Sequence, residues 1–174
     1  MDNIQLRLAG EGDAAALALL GQATFLDTFA GILQGADILA HCQRQHAPEL
    51  YRDWLANPDK HIWLAEVAPG AAPVGYLVLS PPDLPDVAPQ AGDLEIKRIY
   101  LLHRFQGQRI GQRLMQAAFA HARNMGARRM LLGVYGENHA ALAFYARCGF
   151  SVVGQRVFRV GLRDYHDQIL GMAL

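Results

Sequence analysis

The stretch Ile99-Tyr100-Leu101-Leu102-His103-Arg104-Phe105-Gln106-Gly107-Gln108-Arg109-Ile110-Gly111 decides how this chain is read. Its apolar start reads as the end of a strand, and a glycine-containing turn follows. Beyond the turn, Ile110, Leu114, Ala117, Ala118, His121 and Met125 recur at helical spacing, predicting a helix over 107–125 that Gly126 ends. The first N–H groups of a helix have no internal partner, and the aligned peptide dipoles there favour negative charge. Such a turn is an anion site, and glycine lets the backbone come close to a phosphate. Arg104 and Arg109 are placed to add charge-assisted bonds. The turn has neither the Lys-Ser/Thr of a P-loop nor a GxGxxG pattern, and the same glycines also suit ordinary strand-to-helix packing.

The next informative stretch lies downstream, at Asn138-His139-Ala140-Ala141-Leu142-Ala143-Phe144-Tyr145-Ala146-Arg147-Cys148-Gly149-Phe150. Asn138 is a good N-cap. Tyr145 follows two helical turns later on the same face, and the small Ala141 between them leaves room for a ligand. Phe144 points elsewhere, toward the core. The plainer reading of the pair is a cap and a half-buried core aromatic.

Outward from these segments, Ile4–Leu8 alternates as a strand, and Asp13 is placed to cap a helix over 14–29 with a turn or kink near its end. Helices follow over 36–45 and, starting at Pro48, to Ala56. Strands are predicted at 61–67 and 74–79, joined by a Pro/Gly-rich connection, and the Pro/Asp-rich segment 81–92 reads as a surface loop. Further strands are expected at 94–101, 130–134 and 150–153. Two more span 157–174 around a turn at 161–164. This order predicts a single α/β (α+β) domain over 1–174, a mixed sheet with helices on its faces.

Composition excludes several classes. Lys+Arg and Asp+Glu both number 16, and the 35–56 helix pair carries no basic stripe, so a helix-turn-helix nucleic-acid binder is disfavoured. Cys42 and Cys148 form no close pair, and the 7 histidines show no ligand spacing, so neither a disulfide framework nor a metal is expected. No apolar run reaches the roughly 18 residues of a membrane span. Met1-Asp2-Asn3 does not open a signal peptide. The expectation is a cytoplasmic protein with neither membrane nor nucleic-acid partners.

Together, in this order and about thirty residues apart, the two segments resemble the GNAT superfamily of N-acetyltransferases. The family's Gln/Arg-x-x-Gly-x-Gly/Ala signature is matched at Gln106 and Gly111, with Arg109 in place of the middle glycine. Gly107 after Gln106 is common in the family. The later Asn-x-x-Ala-x-x-x-Tyr…Gly-Phe pattern is matched at Asn138, Ala141, Tyr145, Gly149 and Phe150. Segments 24–29, 94–100, 132–135 and 157–158 are similar to bacterial polyamine-type (spermine/spermidine) acetyltransferases.

The resemblance implies a mostly antiparallel sheet with two splayed parallel strands, here 94–101 and 130–134, and acetyl-CoA lying between them. The backbone of Ile99, Tyr100 and Leu101 would hold the pantetheine arm. That of Gln106, Gly107, Gln108, Arg109, Ile110 and Gly111 would hold the pyrophosphate. Asn138 would contact the pantetheine or orient a water. Aminolysis of a thioester needs a neutral amine, and deprotonating an alkylammonium of pKa ~10.4 at pH 7 costs about 4–5 kcal/mol. Glu95, where family members often carry a catalytic Glu, is the expected base, and Tyr145 the expected proton donor to the leaving thiolate.

Phe25, Thr28, Phe29, Tyr100 and Tyr165 are expected to line the site of a small-molecule or peptide amine, with Thr24, Tyr76 and His166 as further candidates. Asp27, Asp93, Glu95 and Asp167 are the carboxylates available to a polyamine. Cys148 is read as packing rather than as an acyl carrier. Many family members are dimers, so a homodimer is one expected assembly. The competing reading is a non-catalytic acetyl-CoA sensor, which would keep 106–111 but need neither Glu95 nor Tyr145.

Overall fold

The computed structural model describes residues 3–160 and 163–174. The chain runs β1 (Ile4–Leu8), α1 (Ala14–Phe29), α2 (Gly35–Gln45), α3 (Pro48–Ala56), β2 (His61–Val67), β3 (Ala72–Ser80), β4 (Asp93–Leu101), α4 (Ile110–Asn124), β5 (Arg129–Tyr135), α5 (His139–Arg147), β6 (Ser151–Val160) and β7 (Arg163–Ala173). The strands form one 7-stranded sheet in the order β1-β2-β3-β4-β5-β7-β6. Every pairing is antiparallel except β4 with β5. This is the mixed α/β architecture that the element order predicts.

Alternation along the strands sends apolar residues to two faces. On one, Leu77, Leu79, Ile96, Met130, Leu132 and Val134 pack with Ile110, Leu114, Met115 and Ala118 of α4 and with Tyr145 of α5. On the other, Leu64, Tyr76 and Val78 pack with Leu17 and Leu20 of α1 and Tyr51 and Trp54 of α3. Loop 81–92 covers part of this second face by placing Leu84 against Leu131 and Ile169.

The parallel pair positions the site. β4 and β5 are in register only at Asp93↔Arg129, Leu94↔Met130 and Glu95↔Leu131, after which both strands continue apart. The closed end is fastened by Arg129, whose Nε and Nη2 donate to the two Asp93 oxygens at 2.9 and 2.6 Å. Just past Glu95, β4 carries a bulge: Ile96 faces Leu79 and Arg98 faces Val78, leaving Lys97 without a partner. A bulge bends its strand and raises local twist, which turns β4 away from β5.

Several local expectations are corrected. α1 is one continuous helix to Phe29 without a kink. The Asp13 carboxylate does not cap it; it takes Arg7 at 2.7 and 2.8 Å and the Gly10 N–H at 2.7 Å. The helix predicted from Gly107 starts at Ile110, because Gly107 and Arg109 both have left-handed backbones, φ 74° and 61°. The strand at 150–153 and the one expected from Val157 are a single β6, bulged between Val152 and Gly154 and paired with β7. In the turn predicted at 161–164, Gly161 and Leu162 lie outside the described residues.

Candidate active site

The turn after β4 presents a run of backbone donors. Among the described residues, no backbone N–H from 107 to 112 donates to a protein acceptor; the first to do so is Arg113, to the Arg109 carbonyl at 3.0 Å. Two residues in this turn, Gly107 and Arg109, have left-handed backbones. Arg109 has the left-handed backbone that glycine adopts most readily. Arg104 and Arg109 are both exposed beside it. The Ile110 side chain is core, which leaves only its backbone to the turn. Gln106 donates to the Leu101 carbonyl at 3.2 Å and Gln108 to the Arg104 carbonyl at 3.1 Å, so both side chains brace the loop. A Cβ on Gly111 would meet Phe144 at 3.4 Å; Phe144 packs there, against the start of α4.

Upstream, the Leu102 N–H donates to the Val74 carbonyl at 2.9 Å. Alternation of an antiparallel ladder then points the N–H and C=O of Tyr100 and Arg98 at β3, and those of Ile99 and Leu101 into the β4–β5 gap. The Leu101 carbonyl takes Gln106 there; the Ile99 N–H and C=O and the Leu101 N–H also face the gap.

Asn138 caps α5, its Oδ1 accepting the Ala141 N–H at 3.1 Å. Tyr145, only 8% exposed, stands on the α4 side of the sheet. Burial, with smaller contributions from the neighbouring Tyr100 phenol and Cys148 thiol, raises its pKa above the ordinary tyrosine value. The phenol therefore stays protonated and can donate a proton. Cys148 packs at the edge of the same core, and burial raises its thiol pKa.

Glu95 is 3% exposed. Its partner is neither Lys97 nor Arg98: Oε2 accepts the Asp83 N–H at 2.7 Å, and Lys97 turns to the Asp83 carboxylate at 3.1 Å. Glu95 shares a sheet face with Leu131, its register partner, on the side covered by loop 81–92.

Phe25, Phe29, Tyr100 and Tyr165 converge on this second face around Leu33, Ile38 and Val160. Phe25 is itself buried, stacked on His41 at 4.1 Å. An open cavity of about 390 Å³ lies beside the group, lined by Thr28, Phe29, Ile32, Tyr135 and the start of α5 including Asn138. It thus joins the α1 end to the Asn138 helix. The Thr28 hydroxyl is spent on the Thr24 carbonyl at 2.7 Å.

Other candidates fall away from this group. Thr24 and Tyr76 are buried core, and His166 is exposed on the opposite face of β7 from Tyr165. Asp27 accepts from the His103 N–H at 3.3 Å, and Asp93 clamps Arg129. Glu95 and Asp167 stand on the acceptor face; Asp93 shares that face by alternation with Glu95 but lies at the closed end of the β4–β5 pair, bound to Arg129.

Sequence reasoning missed a buried network there. His46 Nδ1 and Tyr51 Oη are 2.9 Å apart, Tyr51 Oη and Tyr76 Oη 2.9 Å, and Arg98 Nη1 donates to Tyr51 Oη at 2.9 Å. Burial, then the charges of Arg98 and Arg44, lower the His41 pKa to about 4; burial, then Arg98 and His41, lower that of His46 to about 2. Both histidines are therefore neutral. It also missed Ile32 and Tyr135 as cavity walls, although the alternation of Leu131, Gly133 and Tyr135 marks Tyr135 for this face.

Among the described residues, no helix is long and apolar enough to cross a membrane. A sequence profile described as the acetyltransferase (GNAT) family matches residues 31–150. An uncharacterized N-acetyltransferase of Mycobacterium bovis is 37% identical over 78 residues, 45% of this chain and 50% of that protein; the chain thus spans about half the length of this relative. An uncharacterized N-acetyltransferase from the pepI 3′ region of Lactobacillus delbrueckii subsp. lactis is 27% identical over 174 residues, covering 100% of this chain and 99% of that protein. The crystal structure of the PaiA N-acetyltransferase from Thermoplasma acidophilum, in complex with coenzyme A, superimposes with a TM-score of 0.76 at 19% identity, over 98% of this chain and 99% of that one. With the splayed parallel strands and the profile match over most of its length, the chain belongs to the GNAT family of acetyltransferases.

Proposed function

We propose that this protein transfers the acetyl group of acetyl-CoA directly to the nitrogen of a primary amine. The observation that carries the reading is the gap between β4 and β5. It opens immediately after Glu95, presents the backbone of Ile99 and Leu101, and leads to the run of free N–H groups at 107–112. Acetyl-CoA fits there with its pyrophosphate on the backbone of 106–111 and its pantetheine amides paired to the Ile99–Leu101 side of β4. The thioester then reaches the gap with Tyr145 on one face of the sheet and the Phe29–Tyr135 cavity on the other.

In this reading Glu95 takes a proton from the acceptor ammonium, directly or through water, and the free amine attacks the thioester carbonyl. A β4 backbone N–H in the gap stabilises the oxyanion. Collapse breaks the carbon–sulfur bond, forms the amide and expels the thiolate, which takes its proton from Tyr145. The raised pKa of Tyr145 keeps that proton in place until the thiolate forms. Asn138 orients the pantetheine or a water while capping α5. A polyamine is the acceptor that the sequence resemblance implies, and a homodimer the assembly.

The test is release of CoA thiol from acetyl-CoA against spermidine, a lysine peptide, free amino acids and an aminoglycoside. Amine-dependent release with one class supports the reading and names the acceptor chemistry. Tight acetyl-CoA binding without release for any amine refutes it in favour of a sensor.

A further inference from the structure

Two polar groups on the acceptor face remain unspent. Asp167, on β7, is 5% exposed, and Arg156 Nε and Nη2 both donate to its Oδ2, at 3.1 and 3.0 Å. Among the described residues, Oδ1 accepts no hydrogen bond. Nor does it belong with the fully buried partnerless atoms, so it keeps some accessible surface. Two residues earlier on the same face of the strand, the Tyr165 Oη is buried and has no partner among the described residues. An unsatisfied buried hydroxyl is destabilising, so such a group calls for an explanation, and a ligand atom is one.

Neither group is itself a lining residue of the cavity; both reach it through Tyr135, which is. Asp167 pairs in register with Tyr135, whose ring lies 6.1 Å from that of Tyr165 and 6.4 Å from that of Phe29. Tyr135, Phe29 and Ile32 supply its apolar wall. We infer that Asp167 Oδ1 and Tyr165 Oη together seat the acceptor nitrogen, and that the acceptor is a primary amine on an apolar body lying against Phe29, Ile32 and Tyr135. This rests on the amine-acetylation reading and narrows its substrate class. An ammonium has three N–H donors, enough to satisfy both oxygens and leave one for the proton acceptor.

The charges near the seat disfavour a polycation. Asp167 already shares its charge with Arg156, whose guanidinium lies over the Phe158 ring at 5.1 Å. Arg98 points into the same face with no carboxylate partner among the described residues, only Tyr51, His46 and Gln45. Glu137, at the cavity rim, is exposed and 3.8 Å from His139. One ammonium is matched by Asp167; a second would share the face with two guanidinium groups, and the carboxylates left to it are Glu95, already bonded to the Asp83 N–H, and the exposed rim residue Glu137.

The test is calorimetric titration of the CoA-saturated protein with 2-phenylethylamine and with spermidine, in the wild type and in the Tyr165→Phe and Asp167→Asn variants. The expected result is binding of 2-phenylethylamine to the wild type, weakened about tenfold by Tyr165→Phe and more by Asp167→Asn. Tyr165→Phe removes a hydroxyl that bonds nothing among the described residues, so its melting temperature should hold or rise, which covers the case in which Asp167→Asn fails to fold. Unchanged affinity in Tyr165→Phe, tighter binding of spermidine than of 2-phenylethylamine, or no binding of 2-phenylethylamine by the wild type would each overturn the inference. Calorimetry reads binding without turnover: binding as expected with no CoA release from acetyl-CoA would count against acetyl transfer and leave the seat standing.

Discussion

The Asp83 N–H donates to Glu95 Oε2 at 2.7 Å, while the Asp83 carboxylate takes Lys97 Nζ at 3.1 Å. One loop residue thus grips β4 on both sides of Ile96, where the strand leaves β5. The loop and the proposed base are mechanically joined, and substitutions can separate the two roles. Glu95→Gln keeps an oxygen for the Asp83 N–H, so its melting temperature should stay near that of the wild type while kcat/KM for the amine falls about a hundredfold or more. Glu95→Ala should lose the same activity and about 1–3 kcal/mol of stability as well, because the Asp83 N–H is stranded. Denaturant titration beside steady-state kinetics separates the two; a fully active Glu95→Gln enzyme would remove Glu95 from the chemistry.

Tyr145→Phe should leave acetyl-CoA affinity within a few-fold of wild type and lower kcat by about a hundredfold. Because the phenol pKa lies above the ordinary tyrosine value, the wild-type rate should show no loss attributable to Tyr145 ionisation up to pH 10. Thiol-release assays across pH for both proteins check this. Equal turnover numbers would refute the proton-donor role.

Arg109 sits at φ 61°, where a residue with a Cβ is held at a cost of about 1 kcal/mol. Arg109→Gly should therefore raise stability by about that amount and keep acetyl-CoA binding, minus what the guanidinium gives to phosphate. Arg109→Val, whose branched side chain resists this backbone, should weaken binding much further. Thermal melts and acetyl-CoA titrations of both variants decide the matter; equal affinities would mean that the left-handed turn does not hold the pyrophosphate.

His41 and His46 are neutral in the fold, with pKa values of about 4 and about 2 against 6.5 for a free histidine. The unfolded chain binds their protons first as pH falls, so the stability they contribute is full above pH 6.5 and is lost progressively toward pH 4. His41 alone accounts for a loss on the order of 3 kcal/mol. Denaturant unfolding between pH 7 and pH 4.5 should show this decline, reduced in His41→Gln. A flat profile in both proteins would contradict the buried, neutral assignment.

The fold was legible largely because glycine, proline and periodicity agree with the packed structure. Pro48 begins α3, Gly126 follows α4, and the apolar spacing from Ile110 is the face that meets the sheet. The turn-bearing segment was legible for its donors but not for its left-handed backbone at Arg109, since nothing in an arginine announces a positive φ. The bulge that merges 150–153 with the strand from Val157 was hidden because a bulge breaks the two-residue period and mimics an end. Convergence is the part that one-dimensional spacing does not carry. His41 and His46 read as scattered, yet α2 and its following turn bring their rings to 5.7 Å. Asp167 and Tyr165 became distinctive only when their hydrogen bonds were counted in three dimensions.

The most direct test of direct acetyl transfer through the β4–β5 gap follows the acetyl group itself. Protein is mixed with carbon-labelled acetyl-CoA and an amine from the class that supports CoA release, quenched within one turnover, and the label is located by mass spectrometry. The account predicts label on the amine nitrogen at every time point, none on the protein, and a Cys148→Ala variant of unchanged rate. Label that passes first through Cys148, or that remains on CoA while the ligand binds tightly, would contradict it.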